Sequence, residues 1–149
     1  TQEGSVANVI KAGLLKSEQV KKDGLDVDTA SENITKEIEQ ATSLEMPMLE
    51  KHLTIISTLV SIGTLLGLLG TVSGMIKAFA GLAEGTPDQA ELANGISEAL
   101  INTATGIGTS TLAVIAYNYF TSKIDTLTYF IDEAGFAISQ AYKRAKGGN

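Results

Sequence analysis

One carboxylate and a run of hydroxyls interrupt an otherwise apolar stretch, GISEALINTATGIGTSTLAVIAYNYF, residues 95–120. Glu98 stands near its head, Asn102, Thr103, Thr105, Thr109 and Ser110 follow, and no further charged side chain appears before Lys123. A carboxylate drawn partly out of water favours its protonated form and can take up and release protons near neutral pH. Glu98 therefore suits a proton path. Two plainer roles stand beside that one. Water and a helix N-terminus at a membrane surface both favour an anion, or Glu98 neutralises Lys77. Wound as a helix, the stretch sorts into two halves. Thr109, Asn102, Gly106, Ser110 and Thr103 share one side, with Thr105 at its edge. Ile107, Leu100, Ala104, Ile101 and Leu112 fill the other, broken by Thr111 and Gly108. Any single hydroxyl here can bond to the carbonyl one turn back. A whole polar stripe lines a water-accessible route or a packed polar interface.

Little else in the sequence could do chemistry. His52 is the one histidine and lies where a helix meets an apolar run, a place for a structural role. There is no cysteine, no metal-ligand cluster, no phosphate loop and no nucleophile motif. Neither catalytic residues nor a metal nor a cofactor is expected, so the chain reads as something other than an enzyme. A net charge of −6 argues against a nucleic-acid partner.

The elements that must position these groups follow from where charge is missing. Apolar residues make up 44% of the chain, as in ordinary soluble proteins, but the charges are unevenly placed. Residues 53–76 and 99–122 carry no charged side chain. Each run exceeds the roughly 20 residues that cross about 30 Å of hydrocarbon as a helix. Two spanning helices are the leading reading, and two buried helices of a soluble bundle the alternative. Along the first run Gly63, Gly67, Gly70, Gly74 and Gly81 fall within an arc of about 60°. Lipid gives helices no hydrophobic reason to associate, so close approach over small residues must supply one. This glycine face is a helix-packing seam, with Ser57, Thr64 and Thr71 as a hydroxyl row beside it.

Outside the two runs the pattern is helical and amphipathic. Val6, Val9, Ile10, Gly13 and Leu14 predict a first helix ending near Asp23-Gly24. Thr29-Ala30-Ser31-Glu32 reads as a capping box that opens a second. Ile34, Ile38, Ala41, Leu44 and Met48 form its apolar stripe, and Pro47 predicts a kink. Ile124, Leu127, Ile131, Ala134, Ile138 and Ala141 predict that the second apolar run continues as a long amphipathic helix packed on a neighbour. The connector Glu84-Gly85-Thr86-Pro87-Asp88-Gln89-Ala90-Glu91 is acidic, whereas the lysines lie before the first run and after the second. The positive-inside rule then puts both ends in the cytoplasm and the connector outside. Lys77 can snorkel to the outer surface; Tyr117, Tyr119 and Phe120 form an inner aromatic belt.

Two blocks now carry a resemblance: LLGLLGTVSGMIKAF, residues 65–79, and the stretch at 95–120. In order and separation they are similar to the ExbB/TolQ/MotA proton-channel family, over about residues 50–125, and GMI with GISEAL looks closest to ExbB. The resemblance implies three spanning helices, of which this sequence holds the second and third. With no counterpart of the first, and no Met at Thr1, it reads as a fragment, a processed form or the ordered part of a longer chain. It also implies a homopentameric ring in the lipid of the bacterial inner membrane, around an ExbD-like single-span partner whose aspartate carries the proton, working with a TonB-like protein. By match, Thr71, Glu98 and Thr103 correspond to polar residues that face the partner and the proton route. The family often has proline where Thr64 and Leu112 stand, so kinks expected there are missing.

The expectation is an all-α membrane helical bundle: a cytoplasmic helical segment (1–52), a spanning helix (53–83), a periplasmic connector (84–92), a second spanning helix (93–122) and its cytoplasmic extension (123–149). Glu98, Thr71, Thr103, Asn102 and Thr105 are its candidate path residues, with Gly63, Gly67, Gly70 and Gly74 the seam. The implied function is a proton-channel subunit that energises outer-membrane transport. A TolQ-like role in envelope maintenance and a non-conducting membrane scaffold are the alternatives.

Overall fold

A computed structural model of the chain describes residues 2–83, 85 and 89–147. They form three helices: α1, Gln2–Asp23; α2, Val27–Ala83; and α3, Gln89–Gly147. Among the described residues there is no strand, and the fold is all-α. α1 stops where the sequence places its end. Gly24 takes a left-handed conformation with φ 65°, which a side chain would resist. Lys21 and Lys22 sit in the last turn, favourable to the helix dipole.

α2 opens earlier than the capping box predicts. The Asp26 carbonyl already accepts from the Ala30 amide at 2.8 Å, so Thr29–Glu32 lies inside the helix. Ser31 is buried and shares a hydrogen bond with the Ser139 hydroxyl at 2.7 Å. Asp26, one residue before the helix, holds the capping position instead. α2 then runs through Pro47 to Ala83, so the proline removes one ladder hydrogen bond without ending the helix. Of the connector, residues 89–92 are helical; Glu84, Thr86, Pro87 and Asp88 lie outside the described residues.

The chain divides into two compact units, residues 1–51 with 121–149, and residues 52–120. The first unit closes on an apolar core of Val9, Val20, Ala30, Ile34, Ile38, Ile131 and Tyr142. Gly13 and Gly135 let α1 and α3 come up on Ile38 from two sides: a Cβ at either would meet that side chain at 2.9 and 3.0 Å. Two expected core positions on α2 are corrected. Leu44 is 76% exposed and Met48 69%. Steps of three from Ile38 to Ala41 to Leu44 each fall about 60° behind the helix, which carries Leu44 off the packed side. Met46 turns inward there and its sulfur accepts from the Thr128 hydroxyl at 3.5 Å. Ala141 is likewise exposed, and Tyr142 fills the core.

Ile38→Ala is expected to destabilise this unit by about 2–5 kcal/mol, the usual range for truncating a buried isoleucine. Urea unfolding of the detergent-solubilised protein, followed by its helical signal, measures it. A loss below about 1 kcal/mol would mean that the three helices collapse into the space.

The second unit has the opposite distribution. Gly67, Gly74, Ala78, Gly95, Ala99, Gly106 and Ser110 are buried, while Leu65, Leu66, Leu68, Leu69, Ile101 and Leu112 are exposed. Both helices contain a stretch long and apolar enough to cross a membrane, and only 6% of that stretch in α2 and 11% in α3 is buried. A helix at the core of a soluble bundle buries its leucines. Small residues inside and leucines outside suit hydrocarbon as the solvent.

Candidate functional site

The glycines named from the sequence all face α3, and their partners descend in number as α2 ascends, so the helices are antiparallel. A Cβ at Gly63 would meet Ser110 Oγ at 2.7 Å; at Gly67, Gly106 Cα at 3.0 Å; at Gly70, Asn102 Cβ at 2.5 Å; at Gly74, Ala99 Cβ at 2.7 Å. Small residues on α3 mirror them. Gly95 meets Ala78, and Gly106 meets the Gly67 backbone at 2.6 Å. That second set was legible, since 95, 99, 106 and 110 also recur at helical spacing, but the sequence reading placed the seam on α2 alone.

Close approach brings hydroxyls of one helix within reach of the other. Thr64 donates to Ser110 Oγ at 2.8 Å, and Ser110 donates to the Val60 carbonyl at 2.8 Å. One level along, the Thr71 and Thr103 hydroxyls hydrogen-bond to each other. Thr103 also reaches the carbonyls of Ala99, at 3.1 Å, and Gly67, at 3.5 Å. These bonds sit between the uncharged stretches of the two helices and tie them together where hydrocarbon offers no competing partner. Ser57, the third of the hydroxyl row, is exposed.

The remaining polar groups lie elsewhere on α3. Thr105 is exposed and donates to the Ile101 carbonyl at 2.8 Å; Thr109 does the same to Thr105 at 2.9 Å. Both hydroxyls follow the one-turn-back pattern. With Asn102, Gly63, Gly70 and Ser73 they line an open groove of about 730 Å³ along one flank of the pair. Glu98 accepts from Lys77 Nζ at 2.9 Å on one oxygen and 3.2 Å on the other. The two side chains are 50% and 61% exposed. Glu98 and Thr103 are five residues apart, about 140° around the helix. The structure thus joins Thr71 to Thr103 at one edge of the seam and Lys77 to Glu98 at the other, with Asn102 packed against Gly70 between them. Among the described residues no group of three or more His, Cys, Asp or Glu could hold a metal ion.

Two antiparallel apolar helices, seamed by small residues and cross-tied by hydroxyls, define a membrane-embedded helix pair. The chain belongs to the MotA/TolQ/ExbB proton channel family, whose pattern matches residues 2–133. It is 36% identical over 129 residues to the Tol-Pal system protein TolQ of Pseudomonas aeruginosa, covering 84% of this chain and 55% of that protein. It is 27% identical over 124 residues to the biopolymer transport protein ExbB of Pseudomonas putida, covering 83% of this chain and 38% of that one. A third relative, ExbB of Xanthomonas campestris, is 34% identical over 97 residues, covering 64% and 38%. The chain spans about half the length of the TolQ relative and less of the ExbB proteins.

Proposed function

We propose that this chain is the proton-channel subunit of a TonB–ExbB–ExbD-type complex in the bacterial inner membrane, coupling the proton gradient to energised outer-membrane transport. Its partners are further copies of itself in a ring, a pentamer by family resemblance, together with an ExbD-like single-span protein, a TonB-like protein and the surrounding lipid. Residues 53–83 and 93–122 span, with both flanking segments in the cytoplasm and the connector in the periplasm. Glu98, Thr71, Thr103, Asn102 and Thr105 line or flank the route. The observation that carries this reading is the Thr71–Thr103 hydroxyl pair inside an uncharged seam. The same pair also ties α2 to α3, so the test below reads transport separately from assembly.

Thr103→Val tests it, because valine keeps the volume and removes the hydroxyl that meets Thr71. Energised uptake is expected to fall to about a tenth or less, the scale on which small displacements at a reacting site act. The yield of assembled complex should stay unchanged. Native uptake in that variant would favour the scaffold. A TolQ-like role is the second reading, favoured by the 36% identity to a TolQ protein. Expression in a host lacking either system separates the two. Restored uptake supports the TonB-type assignment, and restored detergent resistance the Tol-type one. Copurification of a single-span partner, and its ratio, tests the partners directly.

A further inference from the structure

We propose that Lys77 is a positioning residue for Glu98: it pins the carboxylate against the α2–α3 seam, so that the ion pair, and not the glutamate alone, is the working unit. The inference rests on the proton-channel reading above. One amine reaches both carboxylate oxygens, at 2.9 and 3.2 Å, which fixes where the group sits and how it is turned. The partners come from different helices and border the two uncharged runs, Lys77 directly after residue 76 and Glu98 directly before residue 99. Lys77 is six residues from the end of α2 at Ala83, and Glu98 nine from the start of α3 at Gln89. At 1.5 Å per residue the pair lies roughly 9–13 Å in from the helix ends. An unpartnered charge becomes costly with depth in a bilayer, and a lone lysine or glutamate would extend along its own helix toward water. Here the two turn toward each other.

The choice of partner is itself informative. Glu91 is a second carboxylate on the same edge, seven residues nearer the helix end, and it lies over Gly81 with Cδ 3.3 Å from where a Cβ would be. Lys77 pairs with the deeper acid. Beside the pair, Gly74 holds Ala99 at backbone contact distance, so the separation of the helices is set at this level by packing. An ammonium has three N–H groups and a carboxylate about four acceptor sites. The pair uses two contacts, and its half-exposed remainder leaves Glu98 open to a water or a partner's polar group while its position is held.

The test uses the complex as it copurifies from membranes, reconstituted into lipid vesicles, with proton entry under an imposed potential read by an internal pH-sensitive dye. Lys77→Met is expected to lower flux per assembled complex by roughly tenfold to hundredfold, the effect of a displaced reacting group. Lys77→Arg, which keeps the cation and can meet both carboxylate oxygens with its planar fork, should stay within about twofold of native. Lys77→Gln, which keeps N–H donors but no charge, should fall between them. Native flux in Lys77→Met overturns the proposal, as does Lys77→Arg as impaired as Lys77→Met. Loss of assembled complex in Lys77→Gln overturns it too, since lysine would then serve assembly. Native flux in Glu98→Ala, or no flux in the native complex, sinks the reading beneath it. A dead Glu98→Ala beside a fully active Lys77→Met removes this inference alone.

Discussion

Gly106→Leu is expected to abolish assembly of the helix pair and of any complex built on it. A Cβ at Gly106 would lie 2.6 Å from Gly67 Cα, 2.8 Å from the Gly63 carbonyl oxygen and 3.0 Å from the Gly67 nitrogen. All three are backbone atoms, so no side chain can rotate aside, and the helices must part. Parting them also separates Thr64 from Ser110 and Thr71 from Thr103. A single added methyl in a filled interior commonly destabilises by about 1–3 kcal/mol. Even Gly106→Ala should therefore lower the thermal midpoint, and leucine should leave no assembled complex to recover. Gly67→Leu meets the same backbone at 3.0 Å and should behave alike. Gly70→Leu meets the Asn102 Cβ at 2.5 Å, an atom that the α3 backbone fixes and no rotation moves, and should behave alike. The control is Gly108→Leu, two residues away, where an added Cβ has nothing within 4 Å. Equal recovery of the Gly106 and Gly108 variants in detergent would contradict the seam.

Glu98→Ala is expected to abolish energised uptake while the complex still assembles. Assembly rests chiefly on the close packing of small residues, in which Glu98 takes no part. The ion pair it forms with Lys77 lies at the edge of that packing, half exposed. Uptake of a labelled outer-membrane substrate by cells carrying the variant, alongside the yield of copurified complex, measures both halves. Normal uptake would point to a scaffold; loss of the complex would make the carboxylate an assembly group.

The two apolar helices were legible from missing charge alone, and the glycine face from the 3.6-residue period, because both depend on one helix at a time. The end of α1 was legible too, since only glycine sits easily at the left-handed position that follows Asp23. Failures came where two local signals compete or where a second helix decides. Thr29–Glu32 has the residues of a cap, but Asp26 lies just upstream and opens the helix first. Leu44 and Met48 fit a stripe in sequence and lose it to geometry, because consecutive steps of three lag the helix. The candidate site divides in the same way. That Thr71 sits beside the glycine seam could be counted off one helix; that it meets Thr103 could not. Spacing left open whether Glu98 faces a membrane surface or Lys77, because the distance between two helices is not written in either.

The contact of Gly106 with the Gly67 backbone also bears on how force could pass through this pair. With main chain against main chain there is no layer of side chains to shear, and hydroxyl ties above and below the contact resist twisting. Sliding one helix along the other would drive Cα into Cα. The pair is built as a single stiff plank, and any sliding or turning against its surroundings falls to its outer faces, where the leucines are exposed.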